Sequence, residues 1–422
     1  MTYALDNKDR YGYYTVGNRK TYSKLEAIDF SHLSGNKIEW HYNRAVYGAY
    51  NWEQEPTATL DELYEARARQ LRNQYDYLVL WYSGGADSHN ILMAFVRAGI
   101  YIDEIAQYHQ LEAHGGNKQS WTNQEVFETS IPITQQLIES NPIYATTKHR
   151  LVDMTEYQTG LMLENENRWD YFYKINRYYS TNCLSRYQVR ERIADYKNII
   201  DSGKRLCFIY GIEKPVVTKD NKGYWIHFLD GQDHGVSAWA QTNNRAGDYD
   251  EFFYWAPDMP ELPAKQAHVL RQYLELVTPA QCDGIHLRQE KFYVDEYGSQ
   301  RIDYNQTYPI VQFNLRNQDY HLTARGAHRL LYPDWNPNAV VCGKPHGHMF
   351  PPRDSWLLHP SAPDLGQRYY TQGLPWLRQH VKAIDPSLWV EYRFDPKIAP
   401  YIGFVRDFKN SYYIGPANDS TV

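Results

Sequence analysis

Tyr77-Leu78-Val79-Leu80-Trp81-Tyr82-Ser83-Gly84-Gly85-Ala86-Asp87-Ser88 opens with a continuous apolar run, Tyr77 to Tyr82, and passes into a loop with a pair of glycines. The run has the length and flanks of a strand buried on both faces, as in a parallel sheet. From Ser88 to Ala98 the period turns helical, with Ile91, Leu92, Phe95 and Val96 apolar and Gly99 as the stop. A strand, a glycine loop and a helix start, in that order, form an anion receptor. Paired glycines let the backbone approach a ligand closely, and the first helical turn directs unpaired N–H groups at it. Ser83 and Ser88 add hydroxyl donors. Asp87 is the odd member, because a bare carboxylate repels phosphate. A divalent cation between them removes the repulsion, and Mg²⁺ favours one or two carboxylates plus phosphate oxygens. A Gly-Gly turn alone also occurs as a plain tight turn; the full Ser-Gly-Gly-x-Asp-Ser string in this context is what points to phosphate. The Gly-x-x-x-x-Gly-Lys-Ser/Thr pattern of a Walker loop is absent from the chain.

Working outward, Thr59-Leu60-Asp61-Glu62 reads as a capping box that starts a helix running to about Arg72. Downstream, strands are expected at Glu104–His109, Thr147–Met154 and Leu206–Tyr210. Helices are expected within Asn123–Ser140 and through Trp169–Gly203, where Val189, Ile193, Tyr196 and Ile200 share a face. Strands alternating with helices imply an α/β fold with a doubly wound parallel sheet. Ligands of such sheets sit beyond the carboxyl ends of the strands, where Ser83 and Gly211 both fall. Three regions follow. Residues 1–58 form an N-terminal extension with short strands near Tyr11–Val16 and Ile38–Tyr42. Residues 59–250 form the nucleotide domain. Residues 251–422 form a mostly helical, Pro- and aromatic-rich region that is expected to hold the substrate and includes a helix at Pro263–Leu276.

The chain has 422 residues, 42% of them hydrophobic, which is enough for a real core. Its net charge of −6 disfavours bulk nucleic-acid binding by charge neutralisation. The 39 tyrosines and 12 tryptophans suit half-buried surfaces, interfaces or stacking platforms without choosing among them. Cys183, Cys207, Cys282 and Cys342 are too scattered for a thiolate metal site or a disulfide scaffold. No apolar signal core opens the sequence and no run of about 18 apolar residues follows, so the expectation is a cytoplasmic protein without a membrane span.

Leu80-Trp81-Tyr82-Ser83-Gly84-Gly85-Ala86-Asp87-Ser88 resembles the PP-loop of the adenine nucleotide α-hydrolase superfamily. Its members include asparagine synthetases, GMP synthetase, NAD synthetase, argininosuccinate synthetase and several tRNA-modifying enzymes. The resemblance implies a HUP-like sheet, use of ATP and Mg²⁺, and release of pyrophosphate. Phe252-Phe253-Tyr254-Trp255-Ala256-Pro257-Asp258-Met259-Pro260, followed by Lys265-Gln266-Ala267-His268, is similar to stand-alone asparagine-synthetase-like proteins of phages. Position 2 is Thr2 where a glutamine-dependent synthetase places its nucleophilic cysteine, so no intrinsic glutaminase is expected. The reaction implied is adenylation of a carboxylate, amide or carbonyl oxygen on a small-molecule acceptor. An amine or ammonia, supplied free or by a partner, then displaces AMP. The alternatives are a nucleobase-modifying enzyme acting on RNA or DNA, and a non-catalytic nucleotide-binding protein.

The expected nucleotide contacts are Ser83, Gly84, Gly85, Asp87 and Ser88, with Asp87 also the metal ligand. Beyond the fourth strand, Lys214 is a candidate to stabilise the leaving pyrophosphate and Glu213 to hold metal or orient an amine. The plain alternative there is a turn carrying two solvated charges. Lys265 is either a phosphate or carboxylate contact or a solvated helix-face lysine. His109 and His114 lie where the adenine or ribose edge is expected. His346-Gly347-His348 lacks the further ligand that zinc requires. Tyr332-Pro333-Asp334-Trp335 reads as a packed turn rather than a substrate platform.

Overall fold

The computed structural model describes residues 8–112, 115–118, 123, 125–155, 157, 168, 190, 192–211, 216–230, 246–276, 292–294, 300–302, 311–314, 319–322, 330–334, 372, 374–391 and 403–417. Tyr14 and Val16 are buried on β1 (Tyr13–Val16), which pairs antiparallel with β2 (Arg19–Thr21) on one side and β3 (Ile38–His41) on the other. Between β2 and β3 runs α1 (Lys24–Ser34). The Ser23 hydroxyl accepts from the Glu26 N–H at its start, and Gly35 ends it in the left-handed region. Two of these strands match the sequence expectation; β2 and α1 are additions. A short α2 (Arg44–Tyr47) leads to α3 (Leu60–Gln74). The capping box forms as read: Glu62 N–H donates to the Thr59 hydroxyl at 3.2 Å, and Thr59 N–H donates to the Glu62 carboxylate at 2.8 Å.

The doubly wound part follows. Its elements are β4 (Tyr77–Trp81), α4 (Ala86–Arg97), β5 (Glu104–His109), a π-type turn at Val126–Ser130 leading into α5 (Ile131–Ser140), β6 (Lys148–Asp153), α6 (Ala194–Asp201) and β7 (Leu206–Tyr210). β5 and β7 have the bounds read from the sequence, and the other strands lie within a residue of them. Of the helical stretch expected through 169–203, residues 190 and 192–203 lie among the described residues, and they include α6. An antiparallel pair, β8 (Val216–Asp220) and β9 (Gly223–Leu229), comes next, then β10 (Asp248–Phe252).

β10 is a strand the sequence pattern does not show, and it belongs to the parallel sheet. The five parallel strands lie in the order β6-β5-β4-β7-β10. The chain therefore builds outward from β4 to one side, then returns to build outward to the other. The order reverses between β4 and β7, and the carboxyl ends of those two strands flank the crevice where open α/β sheets take ligands.

Beyond β10, α7 (Glu261–Leu276) packs against α3 and β8. The hairpin β11 (Phe292–Val294) and β12 (Gln300–Ile302) follows, then β13 (Val311–Asn314), β14 (Asp319–Leu322), α8 (Leu374–Ile384), the pair β15 (Trp389–Glu391) and β16 (Gly403–Val405), and β17 (Lys409–Gly415). Where a mostly helical region is expected after residue 250, the described residues hold seven strands as well as α7 and α8. The reason is distant pairing. β13, β14, β8, β9 and β17 form one sheet, so β8 and β9 supply the template for strands that carry little local signal. One apolar core runs from Tyr11 through Leu78, Phe208 and Leu262 to Ile414, and so draws on all three regions named from the sequence. Among the described residues no helix is long and apolar enough to cross a membrane.

Candidate functional site

The loop after β4 holds its shape by contacts among its own residues. Tyr82 N–H donates to Ala106 O at 2.9 Å, which carries the parallel pairing one residue past the strand. The chain then turns at Gly84, whose φ of +86° favours glycine. A Cβ there would also stand 3.1 Å from the Ser130 Cβ and 3.2 Å from its nitrogen. Ser130 is fixed in turn by buried Gln107 on β5, whose amide donates to Ser130 O at 3.0 Å and to the Thr134 hydroxyl at 2.8 Å. Two serines clasp the loop. Gly85 N–H donates to the Ser83 hydroxyl at 3.2 Å, Ser83 N–H to the Ser88 hydroxyl at 3.3 Å, and the Ser88 hydroxyl to Gly85 O at 3.1 Å. Ser83 is exposed, whereas Ser88 is buried and turned into the loop.

Gly85 is the residue before α4 and makes no side-chain cap to it. The first turn of this 12-residue helix, Ala86-Asp87-Ser88, thus brings its backbone donors and the positive end of the dipole to the glycine loop. Gly211 closes the other side. A Cβ on it would lie 3.0 Å from Ser88 N and 3.1 Å from the Asp87 carbonyl carbon, so the end of β7 packs directly on the helix start. The structure therefore brings Ser83, Gly84, Gly85, Asp87, Ser88 and Gly211 together at the order reversal of the sheet. Glu213, Lys214, His114, His346 and His348 lie outside the described residues.

Asp87 is gripped by residues that sequence reasoning did not assign to the site. The Tyr332 hydroxyl donates to Asp87 Oδ1. The Tyr254 hydroxyl donates to the Asp87 main-chain oxygen at 2.7 Å, and Asn90 Nδ2 donates to Tyr254 Oη at 3.1 Å. The two tyrosine rings stack at 5.6 Å with 30° between their planes. Tyr64 backs them: its hydroxyl donates to Leu331 O at 2.8 Å and its ring meets Tyr254 edge-on. Arg97, at the far end of α4, pairs with Asp334 and with Asp61, which ties the Tyr332 segment to α4 and α3. Burial, and after it the Asp87 carboxylate, push Tyr254 and Tyr332 well above the ordinary tyrosine range, so both stay protonated donors. Burial likewise pushes His89 below its ordinary value, and its Nδ1 lies 3.0 Å from the Tyr82 hydroxyl.

A second carboxylate borders the loop. A Cβ on Gly85 would come within 2.9 Å of Glu125 Oε1. Two acidic side chains beside a glycine loop and a helix start are of the donor type that hard divalent cations take. No cluster of three or more metal-type side chains occurs among the described residues. Mg²⁺ does not need one, since waters and phosphate oxygens complete its shell.

The remaining candidates fall elsewhere. His109 ends β5, at the carboxyl edge, with Nδ1 3.3 Å from Asp153 Oδ2 at the end of β6. Burial works against charge on Asp153, yet hydrogen bonds from His109, Thr155 and Glu112 N–H hold it well below the usual carboxylate range. Lys265 is not a solvated lysine; of the two contacts expected for it, it makes the one to a carboxylate, that of the chain's own Glu55. It donates to Glu55 at 2.6 Å and to Pro56 O at 3.1 Å, and with His268 on Trp52 O it fastens α7 to the segment before α3. Of Tyr332-Pro333-Asp334-Trp335, Tyr332 is packed as the sequence suggests, Pro333 is exposed and Trp335 lies outside the described residues, and the tyrosine reaches the loop. No local pattern marks that contact, because its two residues are 245 apart.

The chain matches no family model and no curated protein sequence.

Proposed function

We propose that the protein is an ATP-dependent ligase of the ATP-pyrophosphatase type, with a sheet of the adenine nucleotide α-hydrolase kind. One observation carries the reading. A self-clasped glycine loop and an uncapped helix start meet at the order reversal of a parallel sheet, with Asp87 in the first helical turn. The loop donors and the dipole suit the β- and γ-phosphates of ATP. Asp87, with Glu125 nearby, would hold Mg²⁺, whose charge would offset that growing on pyrophosphate.

In the proposed reaction an acceptor oxygen forms a bond to the α-phosphorus and the bridging oxygen leaves with pyrophosphate. An amine or ammonia then bonds to the activated carbon, AMP departs, and the nitrogen gives up a proton. The protein's part is to place the acceptor in line and keep water from the adenylate. Lys214 and Glu213, just past Gly211, are the proposed further catalytic groups. The acceptor is a small molecule with a carboxylate or carbonyl; the net charge of −6 weighs against nucleic acid.

Calorimetry with ATP and Mg²⁺ tests the nucleotide site, and ³¹P NMR of an incubation with cell metabolites tests the cleavage. Binding that the divalent ion strengthens, with AMP and pyrophosphate as products, supports the reading. No binding at millimolar nucleotide, or products limited to ADP and phosphate, overturns it.

A further inference from the structure

We propose that Tyr332 is a positioning residue for Asp87, so that a segment 245 residues away sets the cation affinity of the loop. The proposal rests on the reading of the loop as an Mg²⁺–ATP site. A carboxylate at the second position of a helix can rotate freely about two side-chain bonds. Left alone it can swing back onto the N–H groups of its own first turn, where it competes with an incoming phosphate. Here a hydroxyl fixes it from outside. Tyr332 donates to Oδ1, and an ionised carboxylate has about four lone-pair sites, so this donor orients the group without exhausting it.

The hydroxyl is itself held. The Tyr332 ring is 3% exposed, stacks on Tyr254 and lies beside Tyr64. Its neighbours Leu331 and Asp334 are bound by the Tyr64 hydroxyl and by Arg97. Tyr254 fixes the main chain of Asp87 at the same time, through the carbonyl. Both handles on Asp87 therefore come from beyond β10, from the region expected to hold the acceptor. Partners of this kind, which orient a ligating group, typically change metal affinity by about 10–100-fold when removed.

Tyr332→Phe removes one oxygen and keeps the ring stack. The experiment saturates the protein with the non-cleavable analogue α,β-methylene-ATP and titrates Mg²⁺, reading bound ion by calorimetry. A parallel titration with Mn²⁺ is followed by electron paramagnetic resonance. The Mg²⁺ midpoint is expected to rise by about tenfold, with metal-free analogue affinity unchanged. Tyr64→Phe, which loses a hydrogen bond to Leu331 but none to Asp87, serves as the control for packing and should move the midpoint far less. On an Asp87→Asn background, Tyr332→Phe should produce no further shift. A Tyr332→Phe midpoint equal to wild type, or a Tyr64→Phe midpoint that moves as far, overturns the positioning role and leaves the nucleotide reading standing. A wild-type protein that binds neither the analogue nor ATP overturns both.

Discussion

Asp87 carries one charge and two oxygens, and substitution can separate the two properties. Asp87→Asn keeps an oxygen that accepts the Tyr332 hydroxyl, so the packing of Tyr332 and Tyr254 should survive. It removes the anion. ATP affinity is expected to fall by no more than about tenfold, and pyrophosphate formation by roughly 10²–10³, the scale for losing one preorganised electrostatic group. If Asp87 served only the helix start, the loss would be about 1 kcal/mol of stability with turnover per folded molecule intact. Parallel melting curves and pyrophosphate assays distinguish the outcomes. At this scale the loop was legible because its logic is local: glycines where the chain must turn, serines within reach of one another, a helix start directly behind. Tyr332 and Tyr254 were not, because a tyrosine's worth as a donor depends on what lies across the fold from it.

Elements buried on both faces announced themselves, and those stabilised by distant partners did not. β4 and β7 are continuous apolar runs and read as strands at once. β10 reads Asp248-Tyr249-Asp250-Glu251-Phe252 and has no such pattern, yet it is nearly as deeply buried. Its acids are matched by arginines from elsewhere. Arg190 pairs with Asp248 and Asp250, and Arg10 and Arg67 pair with Glu251. The antiparallel sheet hides a similar feature on β9. His227 lies between the Thr218 hydroxyl, 2.7 Å from Nε2, and the Ser411 hydroxyl, 2.8 Å from Nδ1. Burial, then Lys409, push it down to about 3. A folded value below the unfolded one of about 6.5 means that the unfolded chain binds the extra proton first. The stability contribution is complete above pH 6.5 or so and is lost as pH falls towards 3. At pH 5 the loss from this group should be about 2 kcal/mol relative to pH 7. Urea melts at the two pH values should show it. His227→Gln, which keeps hydrogen-bonding capacity but cannot ionise, should flatten that part of the profile; an unchanged profile would exclude His227 as its source.

Across the whole molecule, Glu251 is the joint. Arg10 from before β1, Arg67 from α3 and Tyr75 from the end of α3 all converge on its carboxylate, which is 1% exposed. Opposing its burial, the two arginines and the Tyr75 hydroxyl hold it below its ordinary value. Glu251→Ala leaves two buried guanidinium groups without their shared anion, a change that typically costs about 3–5 kcal/mol. Because the N-terminal sheet and the parallel sheet meet at this residue, they are expected to lose stability together. The fluorescence of Trp40, buried on β3, and ATP affinity should decline along one urea transition. Two separated transitions would show instead that the first 58 residues are an independent unit.

The pairing of β9 with β17 also has a consequence in time. His227 meets Ser411, 184 residues later in the chain. At roughly 5–20 residues per second a ribosome needs about 10–40 s to make the intervening segment. For that interval β9 has an open edge of unpaired backbone groups, the kind of template on which other nascent chains pair. The protein should therefore depend on holdase chaperones during synthesis, more than its finished stability suggests.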